Sequence, residues 1–156
     1  MTLAADITVA YTPAGGYGDE MPPPILAGCD EPLSDGAPDL RGLWQVVGPE
    51  IDGETVPNTG QVQRIEQAGN RIVITSGGVI HDMFVDGTLE NGVNDVAAAD
   101  FETPIRVAAF YEDGVHVLRP EGMPIEVTRQ RDGDEMIWRY VGFAARLQRI
   151  NETVGN

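Results

Sequence analysis

Lysine is absent from this chain, cysteine occurs once, and serine stands only at Ser34 and Ser76. Each absence removes a chemistry. Without lysine there is no Schiff base. With Cys29 alone, neither an intrachain disulfide nor a multi-cysteine metal site can form. Neither serine sits in a Gly-x-Ser-x-Gly elbow, and no phosphate-cradling glycine loop is present, so nucleophilic catalysis is poorly supplied. No apolar run approaches the ~18 residues of a membrane span. Positive charge is scarce too: ten arginines face twenty-five acidic residues, giving a net charge of −15 that repels nucleic acid and anionic lipid. An all-arginine basic set fits a GC-rich bacterial coding bias or adaptation to high salt.

What is present is the material of one soluble domain: 156 residues, 42% of them hydrophobic. Residues 1–40 are rich in proline, glycine and acid, a composition that cannot offset its own ordering entropy. They are expected to form an extended arm, with a short strand at Ile7–Tyr11, lying on the domain or across a homodimer. Leu26-Ala27-Gly28-Cys29 spells a lipid-attachment box, but no basic residue or apolar stretch precedes it. A cytoplasmic location is the expectation.

From Arg41 onward the alternation of apolar and polar residues predicts strands at 42–48, 61–67, 71–76, 79–85, 105–112, 115–119, 124–131 and 136–149, the last bent at Gly142. Asp86-Gly87, Asn91-Gly92, Asp113-Gly114 and Asp132-Gly133 supply residues tolerant of positive φ, as tight hairpins require; Gly69-Asn70 and Gly77-Gly78 are further turns. Asn94–Phe101 reads as a helical turn. The expected fold is all-β: a single antiparallel up-and-down barrel of about eight strands over residues 41–150, with a tail at 151–156.

Gly42-Leu43-Trp44 opens the first strand, and Arg146 and Arg149 lie near the end of the last. This arrangement resembles the lipocalins and the wider calycin superfamily. The resemblance implies that Gly42 and Trp44 close the barrel bottom and that an arginine, with Arg146 the better candidate, packs across the tryptophan. It implies a barrel with a cavity, and names no ligand. The Thr-Asp-Tyr motif, the usual disulfides and the glycine run of the nitrobindins are missing.

Strand alternation limits which side chains can converge. His81 shares a face with Val79, Met83 and Val85, while Asp82 shares the other with Ile80 and Phe84, so the two cannot act as a dyad without a bulge. Which face lines the interior is not legible. His116 is expected at the rim, after the Asp113-Gly114 turn. Tyr111, Trp138 and Tyr140 are candidates for stacking on a ligand, with Arg139 opposite Trp138. The alternations Arg64-Ile65-Glu66 and Glu126-Val127-Thr128-Arg129 read as solvated cross-strand pairs. Two functions follow. One is binding of a small, largely apolar molecule through Met83, Phe84, Tyr111, His116, Trp138 and Arg139. The other is an isomerase, cyclase or lyase on the same barrel, using His81, Asp82 or Tyr140 in acid–base chemistry. No metal and no cofactor is expected; the partner is a small hydrophobic molecule, not nucleic acid or membrane.

Overall fold

The computed structural model describes residues 2–150, so the expected tail at 151–156 lies outside the described residues. Ten strands follow one another: β1 (Gly42–Pro49), β2 (Val62–Ala68), β3 (Arg71–Ser76), β4 (Val79–Phe84), β5 (Val93–Val96), β6 (Pro104–Glu112), β7 (Val115–Pro120), β8 (Val127–Asp132), β9 (Glu135–Tyr140) and β10 (Phe143–Arg149). They form one antiparallel sheet in the order β4-β3-β2-β1-β10-β9-β8-β7-β6-β5. Consecutive strands are neighbours, and β1 pairs with β10, so the meander curls into a nearly closed up-and-down barrel.

Ten strands replace the expected eight for two reasons. Segment 94–101 begins as strand, with Val93 to Val96 paired to β6, and only then turns. The run 136–149 is a hairpin: Gly142 has φ +87°, which reverses the chain outright, and Tyr140 pairs with Phe143. The Asp113-Gly114 turn has the two positive φ values, 52° and 78°, that a tight hairpin of this type demands.

Alternation then sorts side chains into two compartments. The inner face carries the core, including Trp44, Val46, Ile65, Ile72, Ile74, Met83, Met136, Trp138, Ala145 and Leu147. Trp44 donates from Nε1 to the Leu40 carbonyl at 2.9 Å, and Leu40 is itself in that core. Arg149 lies over the Trp44 ring at 4.8 Å. A Cβ on Gly42 would stand 3.1 Å from Arg149 Nε, and the φ of +144° there also favours glycine. The arginine that the resemblance implies is therefore Arg149. Arg146 points outward to Asp132 and Glu135 at 2.9 and 2.8 Å, because its register position falls on the opposite face from Leu147.

The outer face of β2–β4 is covered by the N-terminal arm, where Ala4 and Leu26 pack with Ala68, Val73 and Ile80. The arm opens with one 3-10 turn at Ala4–Asp6 and forms no strand at Ile7–Tyr11. Its backbone groups are met by side chains instead of a ladder. Ala10 N–H donates to Asp82 Oδ2 and Thr12 N–H to Asp95 Oδ2, both at 2.9 Å. Ile25 and Leu26 donate to Glu66 at 3.1 and 2.8 Å. The Arg64–Glu66 pair thus lies beneath the arm, its side chains only 12% and 11% exposed, and is not a solvated pair.

Between β4 and β5 the ladder is interrupted. Phe84 N–H donates to the Asn91 carbonyl at 2.8 Å, and His81 Nε2 donates to the Val96 carbonyl at 3.0 Å. Thr12 bridges the seam from outside, its hydroxyl accepting from Ile80 N–H at 3.0 Å while its own N–H reaches Asp95.

Candidate functional site

A row of inward side chains runs across four adjacent strands: Tyr111 on β6, His116 on β7, Arg129 on β8 and Trp138 on β9. Register fixes it, since Tyr111 pairs with His116, His116 with Arg129 and Arg129 with Trp138. The Tyr111 and His116 rings are 5.8 Å apart, and the Arg129 guanidinium lies 5.1 Å from the Trp138 ring centre. Two contacts cross the lumen from β2, which three strands separate from β8. Gln63 Oε1 accepts from Arg129 Nε at 3.2 Å, and Gln67 Nε2 meets Tyr111 Oη at 3.0 Å. Gln67 is further tied to Leu40 N–H and the Pro38 carbonyl, which makes it part of the barrel floor.

Arg129 is the unusual member. It is 4% exposed, and among the described residues its only hydrogen bond is the one to Gln63, a neutral amide. Burial drives its pKa down to about 9, and no carboxylate stands near enough to oppose that. The titratable groups within its electrostatic reach are His81, His116 and Tyr140. Fully buried His116 is pushed down to about 3, first by loss of water and then by the Arg129 charge. Among the described residues neither of its ring nitrogens has a partner, and Trp138 Nε1 is also unpartnered. Burial likewise lowers His81. The lumen thus holds a cation, a neutral imidazole and an indole N–H with spare hydrogen-bonding capacity, all in apolar surroundings. It suits an oxyanion.

The expected site residues divide accordingly. Met83, Tyr111, His116 and Trp138 face the lumen, and His81 faces it beside the seam. Tyr140 stands at the open end, 46% exposed, with its ring 5.5 Å from both Trp138 and Phe143. His116 is not at the rim, because its long neighbours Tyr111 and Arg129 close over it. Asp82 is outside the lumen, paired with Arg71 at 2.6 Å with both side chains fully buried under the arm. Phe84 is outside as well, 5.6 Å from the Arg71 guanidinium. Arg139 is also outside, bound to Glu50 at 2.6 Å and Gln130 at 2.9 Å, where it ties β9 to the β1–β2 loop. Gln63 was not singled out from the sequence, and Arg129, expected in a solvated pair with Glu126, is buried in the lumen instead, while Glu126 pairs with Arg119. Only the inward register of Arg129, one strand from Trp138, could have signalled it.

Two surface concavities, of about 400 and 460 Å³, lie outside the lumen, one at Asp134, Glu135, Gln148 and Arg149, the other between the arm and the β3–β4 turn. The centre of the barrel is bridged by Gln63, so an occupant of the lumen must move side chains.

No family model matches the chain, and no curated protein matches it at a significant level. A search of solved structures finds human cRBP IV, a cellular retinol-binding protein, at 14% identity and a TM-score of 0.53, covering 72% of this chain and 98% of that one. The chain is similar to it in fold, a closed or nearly closed antiparallel β-barrel. At that identity the likeness concerns the fold alone.

Proposed function

We propose that this barrel binds a small lipophilic molecule in its lumen, and that the molecule carries an anionic head group held by Arg129. The observation that carries the reading is the buried guanidinium without a carboxylate. Charged groups are almost never fully buried unless paired, because desolvation costs several kcal/mol. A site that keeps such a cost in the free protein supports a role in which a ligand supplies the missing charge. His116 and Trp138 Nε1 offer further hydrogen-bonding groups beside it, and Met83, Trp138, Tyr140 and Phe143 offer apolar and aromatic surface for the remainder. The structural neighbour is by name a retinol-binding protein, which supports a lipophilic occupant.

Retinol and retinoate share a polyene and differ in head-group charge, so they separate the two parts of the proposal. Titrations followed by tryptophan fluorescence are expected to show retinoate binding more tightly than retinol. Arg129→Gln should remove that preference, an effect of about 10- to 100-fold, since hydrogen bonds to charged groups contribute ~1.5–3 kcal/mol. Arg129→Met should raise the melting temperature, because it removes an uncompensated buried charge. Equal affinity of the unaltered protein for both ligands, or binding of neither, would sink the reading.

A further inference from the structure

Gln63 is fully buried, reaches across from the wall opposite Arg129, and occupies its Nε with an amide oxygen. Its other end is held by a side chain, Gln63 Nε2 donating to Gln61 Oε1 at 3.1 Å. Gln61 precedes β2, on the side of the barrel where the β3–β4 turn and the β9–β10 turn also lie. A single 3.2 Å bond between a cation and a neutral amide is weak beside the short, two-pronged contact that a carboxylate makes with a guanidinium.

From this geometry we infer that Gln63 is a built-in stand-in for the ligand head group, a positioning residue that holds Arg129 in the empty barrel and withdraws when an anion arrives. The inference rests on the proposed anionic ligand and adds how the site is kept ready. The bridging state taxes every ligand equally, since only the fraction of molecules with Gln63 withdrawn can bind. A neutral hydroxyl that displaces the amide replaces one neutral partner of Arg129 with another. A carboxylate replaces it with a charge-assisted pair, and so repays the displacement. Withdrawal toward Gln61 keeps Nε2 hydrogen-bonded, while Oε1 gives up its bond to Arg129, a cost that a charge-assisted pair can repay and a neutral hydroxyl cannot.

Two substitutions test this in opposite directions on the full chain, with retinoate and retinol as probes. Gln63→Glu places a tethered carboxylate beside Arg129. It should raise the melting temperature and weaken both probes, since either must displace an ion pair, with retinoate weakened the more, by roughly 30-fold or more, because the freed carboxylate also repels its head group. Gln63→Leu keeps the volume and removes the competitor, so both ligands should bind more tightly by a similar factor. A residue with only a packing role predicts otherwise: both substitutions would lower the melting temperature, and neither would tighten the binding of either ligand. Retinoate binding by Gln63→Glu at the unaltered strength would overturn the inference, and so would Gln63→Leu binding retinoate no more tightly. Should the unaltered protein bind no retinoate, it is the proposed function that fails.

Discussion

Arg129 and His116 sit opposite each other on one β7–β8 pair, and burial acts on both in the same direction, against the protonated form. The histidine yields, because its reference pKa is close to neutrality; the arginine starts so high that it keeps its charge. The sign of the consequence is fixed. His116 has a folded pKa of about 3, below its unfolded value, so between those two values the unfolded chain binds the extra proton. Stability must therefore fall as pH drops below about 6.5, with a slope of up to about 1.4 kcal/mol per pH unit from this group alone. Denaturant titrations across that range should show His116→Leu with a shallower acid limb than the unaltered protein. Parallel limbs would mean that His116 is protonated in the folded state. From the sequence, Glu126-Val127-Thr128-Arg129 looked like a solvated alternation because arginine is usually outside. Which face of β8 turns inward depends on closure of the ring, and no local pattern encodes that.

Among the elements, the hairpin turns were readable because positive φ leaves few residue choices. The two extra strands were not. Val93–Val96 is too short to alternate convincingly, and Val141-Gly142 looks like a bend until Phe143 is seen to pair back on Tyr140. The arm shows the same limit. It was expected to lie on the domain or across a homodimer, and it lies on an outer apolar face of the barrel. What anchors it, however, is Arg71, which no pattern flagged. The Arg71 guanidinium is bidentate to Asp82 and also donates to the carbonyls of Ala4, Ile7 and Thr8. Arg71→Met should cost about 3–5 kcal/mol, since it strands a buried carboxylate. Adding Asp82→Leu should recover part of that loss, but not all, because the three arm carbonyls stay without their donor. Full recovery in the double variant would show that the arm contributes nothing through Arg71.

At the scale of the whole molecule, the all-β class and the meander were legible because both depend on sequence-local rules, and the Gly42–Trp44 corner was legible only through the family resemblance. The place of the seam was not, since it depends on which strands are left without a partner. Those are β4 and β5, the two ends of the strand order. A sheet edge with free backbone groups invites pairing with other chains, and this barrel meets the difficulty with its own arm. Thr12 joins Ile80 to Asp95 across the seam, and Tyr17 N–H donates to the Gly78 carbonyl at the β3–β4 turn. The seam therefore has few main-chain bonds of its own, and its stability is borrowed from a residue 68 and 83 positions distant along the chain from its two partners. Local opening should be cheapest there. Amide hydrogen exchange is expected to be fastest, among the strands, in β4 and β5. Removing residues 1–30 should accelerate those two strands by about tenfold or more, and leave β9 and β10 within about twofold. Uniform acceleration across all ten strands would instead assign the arm to global stability, with no special role at the seam. No acceleration anywhere would make it a passenger on a barrel that closes by itself.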